Sequence, residues 1–268
     1  IVPMTPGPPL LRRAEILSLA CSALLLATRV IHGPFGVLRP LPSAPETESD
    51  RPAASPTPWP WVGSALAVVA PDGTGQALQL LDPSTDGPAH VLLTGFEEIA
   101  APAWSPDGRE LAFGARRDNN WDLYVVRGDG SDLRRLTTHA AFDGWPAWSP
   151  AGGSLAFVSH RDGVLALYRL PLDGGEATAV RLSPGDGPVI EPAWSPDGRW
   201  LAYAAWADGA YRLEALRLDG GEPHILADST DGRDLRAPAW SPDGDRLAWL
   251  ELLHGERRLV SQPWNADP

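Results

Sequence analysis

The sequence predicts an all-β fold: a β-propeller of about five four-stranded blades, the last incomplete, preceded by an N-terminal hydrophobic segment. Three observations predict it. One repeat of roughly 45 residues recurs along the chain, turn-forming residues occupy fixed places within each copy, and strand segments alternate large with small apolar side chains.

The repeat is clearest in four segments, 102–113, 146–157, 192–203 and 238–249. Each begins Pro-Ala-Trp-Ser-Pro, keeps a glycine two residues on, and ends Leu-Ala-aromatic. Their tryptophans, Trp104, Trp148, Trp194 and Trp240, are separated by 44, 46 and 46 residues. A degenerate earlier copy runs through 64–69, with Leu66 lying 45 residues before Leu111. In the second copy the pattern predicts strands at about 101–105, 110–115, 122–127 and 133–138.

The first connection, Ser105-Pro106-Asp107-Gly108, has the chemistry of a tight hairpin. Proline presets φ, aspartate can bond the backbone, and glycine accepts positive φ. The third copy carries Ala151 in place of the aspartate but keeps Gly152, so the aspartate is not a ligand in every copy. Leu111 and Phe113 fall on one face of their strand and Ala112 on the other, and 155–157, 201–203 and 247–249 repeat this. A large face meeting a small face suits radially stacked sheets, and the repeated tryptophans are expected to fill the wedge between neighbours as structural residues. A helical solenoid would show a 3.6-residue period and few such turns.

These segments resemble the TolB-type β-propeller repeat, a WD40-like family, over about 210 residues. The Gly-His and Trp-Asp signatures of true WD40 repeats are absent. The resemblance implies a propeller, often extracytoplasmic and often a protein-binding platform. It also implies kinship with non-catalytic propellers of prolyl-oligopeptidase-like peptidases, so family alone leaves function open.

Three zones divide the chain. Residues 1–32 read as a signal peptide or signal anchor: Arg12 and Arg13 precede an apolar run of 13 residues, 16–28, extendable to a short anchor over 14–31. Residues 33–60 are rich in proline and read as an extended tether. Residues 61–268 are the propeller. Its last copy stops before a fourth strand, which must come from elsewhere, for example from 35–38, unless the chain is truncated.

Composition excludes several functions. The net charge is −12, and all 22 basic residues are arginine, so no basic stripe for nucleic acid is expected. The single Cys21 rules out an internal disulfide framework and a cysteine zinc site. No Gly-x-Ser-x-Gly elbow, His-Glu-x-x-His motif or phosphate loop occurs, and the six histidines lack ligand spacing. The Asp-Gly pairs lack the calcium-loop pattern and read as turns. No catalytic residue, metal or cofactor is expected.

Geometry points to a working surface. Inter-blade links and the second-to-third-strand loops share one end of a propeller, and here they vary from copy to copy. The candidate binding residues on this loop-rich end are Arg116, Arg117, Asn120, Trp121, Trp145, Glu191, Trp206 and Arg236, types that interfaces enrich. The reading is a non-catalytic scaffold in the periplasm or at the cell surface. It binds protein, peptide or glycan and is held to the membrane by its N-terminal segment. The alternatives are a propeller enzyme with a channel metal, lyase- or lactonase-like, a peptidase-associated domain, or a structural surface component.

Overall fold

A computed structural model of the chain describes residues 65–229 and 232–264. The predicted anchor at 14–31, the tether at 33–60, Cys21 and the strand candidate at 35–38 lie outside the described residues. Among the described residues no helix is long and apolar enough to cross a membrane.

Five antiparallel sheets follow one another along the chain. The first contains β1 (Leu66–Pro71), β2 (Gln76–Leu81) and β3 (His90–Phe96). The second contains β4 (Glu98–Trp104), β5 (Glu110–Arg117), β6 (Asn120–Arg127) and β7 (Arg134–Arg135). The third contains β8 (Asp143–Trp148), β9 (Ser154–Ser159), β10 (Ala166–Pro171) and β11 (Val180–Arg181). The fourth contains β12 (Val189–Trp194), β13 (Trp200–Ala207), β14 (Ala210–Arg217) and β15 (His224–Ala227). The fifth contains β16 (Asp234–Trp240), β17 (Arg246–Leu253) and β18 (Glu256–Pro263), with no fourth strand among the described residues. These are the five blades that the repeat predicts, with β1 at the degenerate first copy, except that the first sheet, expected to have four strands, has three among the described residues.

The predicted hairpin forms as its residues dictate. Gly108 takes φ +68° and its N–H donates to the Ser105 carbonyl at 2.9 Å. The Ser105 hydroxyl donates to Asp107 at 2.6 Å and accepts the Glu110 amide at 2.9 Å. With Ala151 in the aspartate's place, Gly152 still closes the turn onto Ser149 at 2.8 Å.

Two features depart from the predicted strands. The fourth strand of the second blade shrinks from the expected 133–138 to two residues because a side chain takes over the ladder. The Leu123 amide donates to the Thr137 hydroxyl at 3.0 Å, while the Leu136 amide donates to the Leu123 carbonyl at 2.7 Å. Ser183 does the same for Leu167 in the third blade, at 3.1 Å. Each inner strand from the second to the fifth blade also carries a bulge just before its Ala-Trp pair. There Ala101, Trp145, Glu191 and Ala237 adopt left-handed φ between +49° and +56°. Each precedes the repeat's proline, which has no N–H and so loses no ladder bond at the bulge.

The core lies between the blades. Leu111, Ala112 and Phe113 are fully buried, as are Leu155, Ala156 and Phe157. Large faces meet small ones where Leu155 joins Ala112 of the second blade in one apolar cluster and Leu201 and Tyr203 join Ala156 of the third in another; at the first junction Leu111 and Phe113 pack with Leu78 and Leu80. Across each junction the signature indole N–H donates to a carbonyl of the preceding blade. Trp104 bonds Ala65 at 2.9 Å, Trp148 bonds Ala103 at 3.0 Å, and Trp194 and Trp240 bond Ala147 and Ala193 at 3.1 Å. Trp148 is buried; the other three are half-buried.

Candidate functional site

The loop-rich end is held together by its own charged and aromatic residues. Arg116 bridges Glu97 and Glu98, each at 2.9 Å, and Arg117 is exposed with its guanidinium 5.6 Å from the Phe96 ring. Asn120 donates to Asp122 at 3.1 Å and to the His139 carbonyl at 2.8 Å, tying its turn to the next inter-blade link.

Of the remaining candidates, Trp121, Trp145 and Trp206 join one apolar cluster spanning the second to fifth blades. The half-buried Trp121 meets Phe142 at 5.8 Å, and Phe142 meets the buried Trp145 at 5.3 Å. Further round, Trp206 packs edge-on against Tyr211 at 5.2 Å. Arg236 lies 4.8 Å over the Tyr211 ring and pairs with Glu191 through two hydrogen bonds of 3.0 and 2.9 Å. Burial pushes the Tyr211 hydroxyl up to about 12. Both members of the ion pair are buried, Glu191 at 8% and Arg236 at 5% exposure, so this pair fastens the fourth blade to the fifth. A partner arriving at this end therefore meets Arg117, Trp121 and Trp206 before it meets Trp145, Glu191 or Arg236.

Sequence reasoning missed two further locks, in which Asp122 pairs with Arg135 at 2.6 Å and Asp143 with Arg161 at 3.1 Å. Burial pushes both carboxyls above their usual range, against the pull of their arginine partners. The signal was a lone aspartate within an otherwise apolar strand pattern. The two carboxylates pair with different arginines, and Arg161 also reaches Glu176 at 3.4 Å. Among the described residues no group of three His, Cys, Asp or Glu could hold a metal ion.

A cleft of about 530 Å³ opens between the third and fourth blades. Val189, Ala205, Trp206 and Ile225 give it apolar walls, while Tyr203, Arg212, Glu214 and Glu222 supply its polar groups. The Tyr203 hydroxyl donates to one Glu214 oxygen at 3.0 Å, and Arg212 donates to the other at 2.9 and 2.7 Å.

A family model, the TolB beta propeller domain, matches residues 46–260. The Tol-Pal system protein TolB of Syntrophus aciditrophicus (strain SB) is 48% identical over 40 residues, 15% of this chain and 9% of that protein. The crystal structure of TolB from Acinetobacter baumannii superposes with a TM-score of 0.62 at 24% identity, over 74% of this chain and 49% of that one. An oligogalacturonate lyase in complex with manganese superposes with a TM-score of 0.52 at 20% identity, over 71% of this chain and 55% of that one. The two superpositions establish the fold alone, and the chain spans about half the length of the Acinetobacter TolB it matches.

Proposed function

The chain belongs to the TolB beta propeller domain family, and on that premise we propose that it is an extracytoplasmic scaffold that binds a protein or peptide partner through its loop-rich end. The observation that carries the reading is the contrast between a stiff, repeated core and the varied groups at that end. Each junction repeats one indole-to-carbonyl bond, so loops can change without disturbing the packing beneath them. Arg117, Trp121 and Trp206 present an arginine and two indoles on this rigid support. In this reading the segment 14–31 holds the propeller at the outer side of the cytoplasmic membrane.

The test is photo-crosslinking in the native host. A benzophenone amino acid replaces Trp121 at the loop-rich end in one variant and Arg109, beside the Ser-Pro-Asp-Gly turn at the opposite end, in another. The expected result is a discrete protein adduct from position 121 alone. Adducts from position 109 alone would place the partner at the opposite end, and a glycan ligand would leave no protein adduct at either.

A further inference from the structure

In two blades of the repeat a cross-strand pair of aromatic side chains packs on the second and third strands. In the second blade it is Phe113 opposite Tyr124, stacked with ring centroids 5.7 Å apart. In the third it is Phe157 opposite Tyr168, at 5.6 Å. Thirteen residues after Trp104 and Trp148 stands an arginine, and in the third blade it lies over the pair itself. Arg161 sits 5.3 Å from the Phe157 centroid and 5.0 Å from that of Tyr168. Arg117 sits over Phe96, which packs edge-on against both Phe113 and Tyr124.

The fifth blade lacks both groups, with Trp249 opposite Val260 and Leu253 in the arginine's place, and the fourth blade departs at both positions too. The pair becomes Tyr203 opposite Glu214, and the place of the arginine is taken by Ala207. Deleting the arginine and replacing a ring by a carboxylate leaves the cleft described above. Its polar balance is acidic. Glu214 and Glu222 line it with only Arg212 against them, and the exposed Asp186 lies in the loop between the lining residues Gly185 and Gly187. Trp206, Val189 and Ile225 supply an indole and aliphatic walls to flank a methylene stem.

We propose that this cleft receives an arginine side chain of the partner, its guanidinium taking the place that Arg161 fills in the neighbouring blade. The third blade shows which group fits here, and Glu214 in place of tyrosine adds a carboxylate, bonded already by Tyr203 and Arg212, beside the exposed Glu222. A lysine would reach the same carboxylates as a point charge without the planar fork that spans two of them. The proposal rests on the scaffold reading for its biological partner, but the cleft can be probed without one.

The experiment titrates the full chain with N-acetyl-argininamide and with its neutral isostere N-acetyl-citrullinamide, followed by NMR of the Trp206 indole and the Gly185 and Gly187 amides. Saturable shifts are expected from the arginine probe, with citrulline at least about tenfold weaker, a difference of 1.4 kcal/mol. Glu222→Gln and Glu214→Gln should each weaken the arginine probe. Ala207→Arg should abolish its binding by refilling the place from within. Equal binding of both probes, or arginine binding that survives Ala207→Arg and Glu222→Gln, overturns the proposal. Those last two substitutions lie outside the buried core and keep the test decisive even if Glu214→Gln loosens the fold. A protein adduct at position 121 without arginine binding sinks the cleft alone; arginine binding without any adduct sinks the scaffold reading alone.

Discussion

Glu191 meets two demands at once. Its backbone sits at φ +56°, in a region that costs a non-glycine residue roughly 1 kcal/mol or more. Its carboxylate accepts hydrogen bonds from two Arg236 nitrogens and from the Ala237 amide at 2.7 Å. Three charge-assisted bonds offset the backbone strain, and the bulge in turn aims the carboxylate across the junction. Removing one partner is therefore worse than removing both, because a buried unpaired guanidinium retains its desolvation cost. Glu191→Ala should destabilise by roughly 3–5 kcal/mol in urea unfolding, while Glu191→Met with Arg236→Met should recover a large part of that loss. A single variant within about 1 kcal/mol of the parent would show that the pair contributes nothing net. Arg236 was legible as a charged residue among inner-strand neighbours, since the equivalent positions hold Ala100, Gly144 and Ile190. That it points inward was not legible, because the partner lies 45 residues away in another blade. An arginine near a loop reads as exposed until its counter-ion is placed.

At the scale of the element, the Ser-Pro-Asp-Gly hairpin was readable in full, since every bond it makes spans five residues or fewer. Hydrogen bonds from the Ser105 hydroxyl and the Arg109 amide hold the Asp107 carboxyl below its usual range, and Ser241 and the Asp245 amide do the same for Asp243. At Asp197 burial pushes upward most strongly, yet the bonds from Ser195 and the Arg199 amide leave it lowered as well. A carboxyl lowered in the folded state stabilises that state above its unfolded value of 3.8, and the contribution is lost as pH falls through the lowered folded value. The triple variant Asp107→Asn, Asp197→Asn, Asp243→Asn should therefore melt below the parent at neutral pH, with the gap closing as pH is taken below about 4. A gap unchanged down to strongly acid pH would mean that charge is irrelevant to these turns. The third blade, with Ala151, shows that glycine alone suffices to form the turn. What the period could not reveal was the length of the outer strands, because Thr137 and Ser183 replace backbone acceptors by hydroxyls that any loop might carry.

Across the described blades the indole-to-carbonyl bond repeats at every junction, but burial falls away in the last blade. Leu123, Leu167 and Leu213 occupy the same register of the third strand in three successive blades, and each is fully buried. Their counterpart in β18, Leu259, is 55% exposed. Ala248 is half-buried where Ala112, Ala156 and Ala202 are fully buried. The repeat count and the large-to-small packing were legible because they recur; the state of the last blade was not, because it depends on what lies beside it rather than on its own residues. In an array whose units contact only their neighbours, stability is a sum of unit and junction contributions, and a unit with one junction opens first. Native-state hydrogen exchange should therefore find the slowest amides in β9 and β13, flanked by blades on both sides, and the fastest ladder amides in β18. Deleting 33–60 tests the cause. If that segment supplies the missing strand, β18 is protected in the full chain and loses that protection in the deletion, while β9 exchanges as before. If β18 exchanges equally fast in both, the segment is a tether and the edge of the last blade stays open.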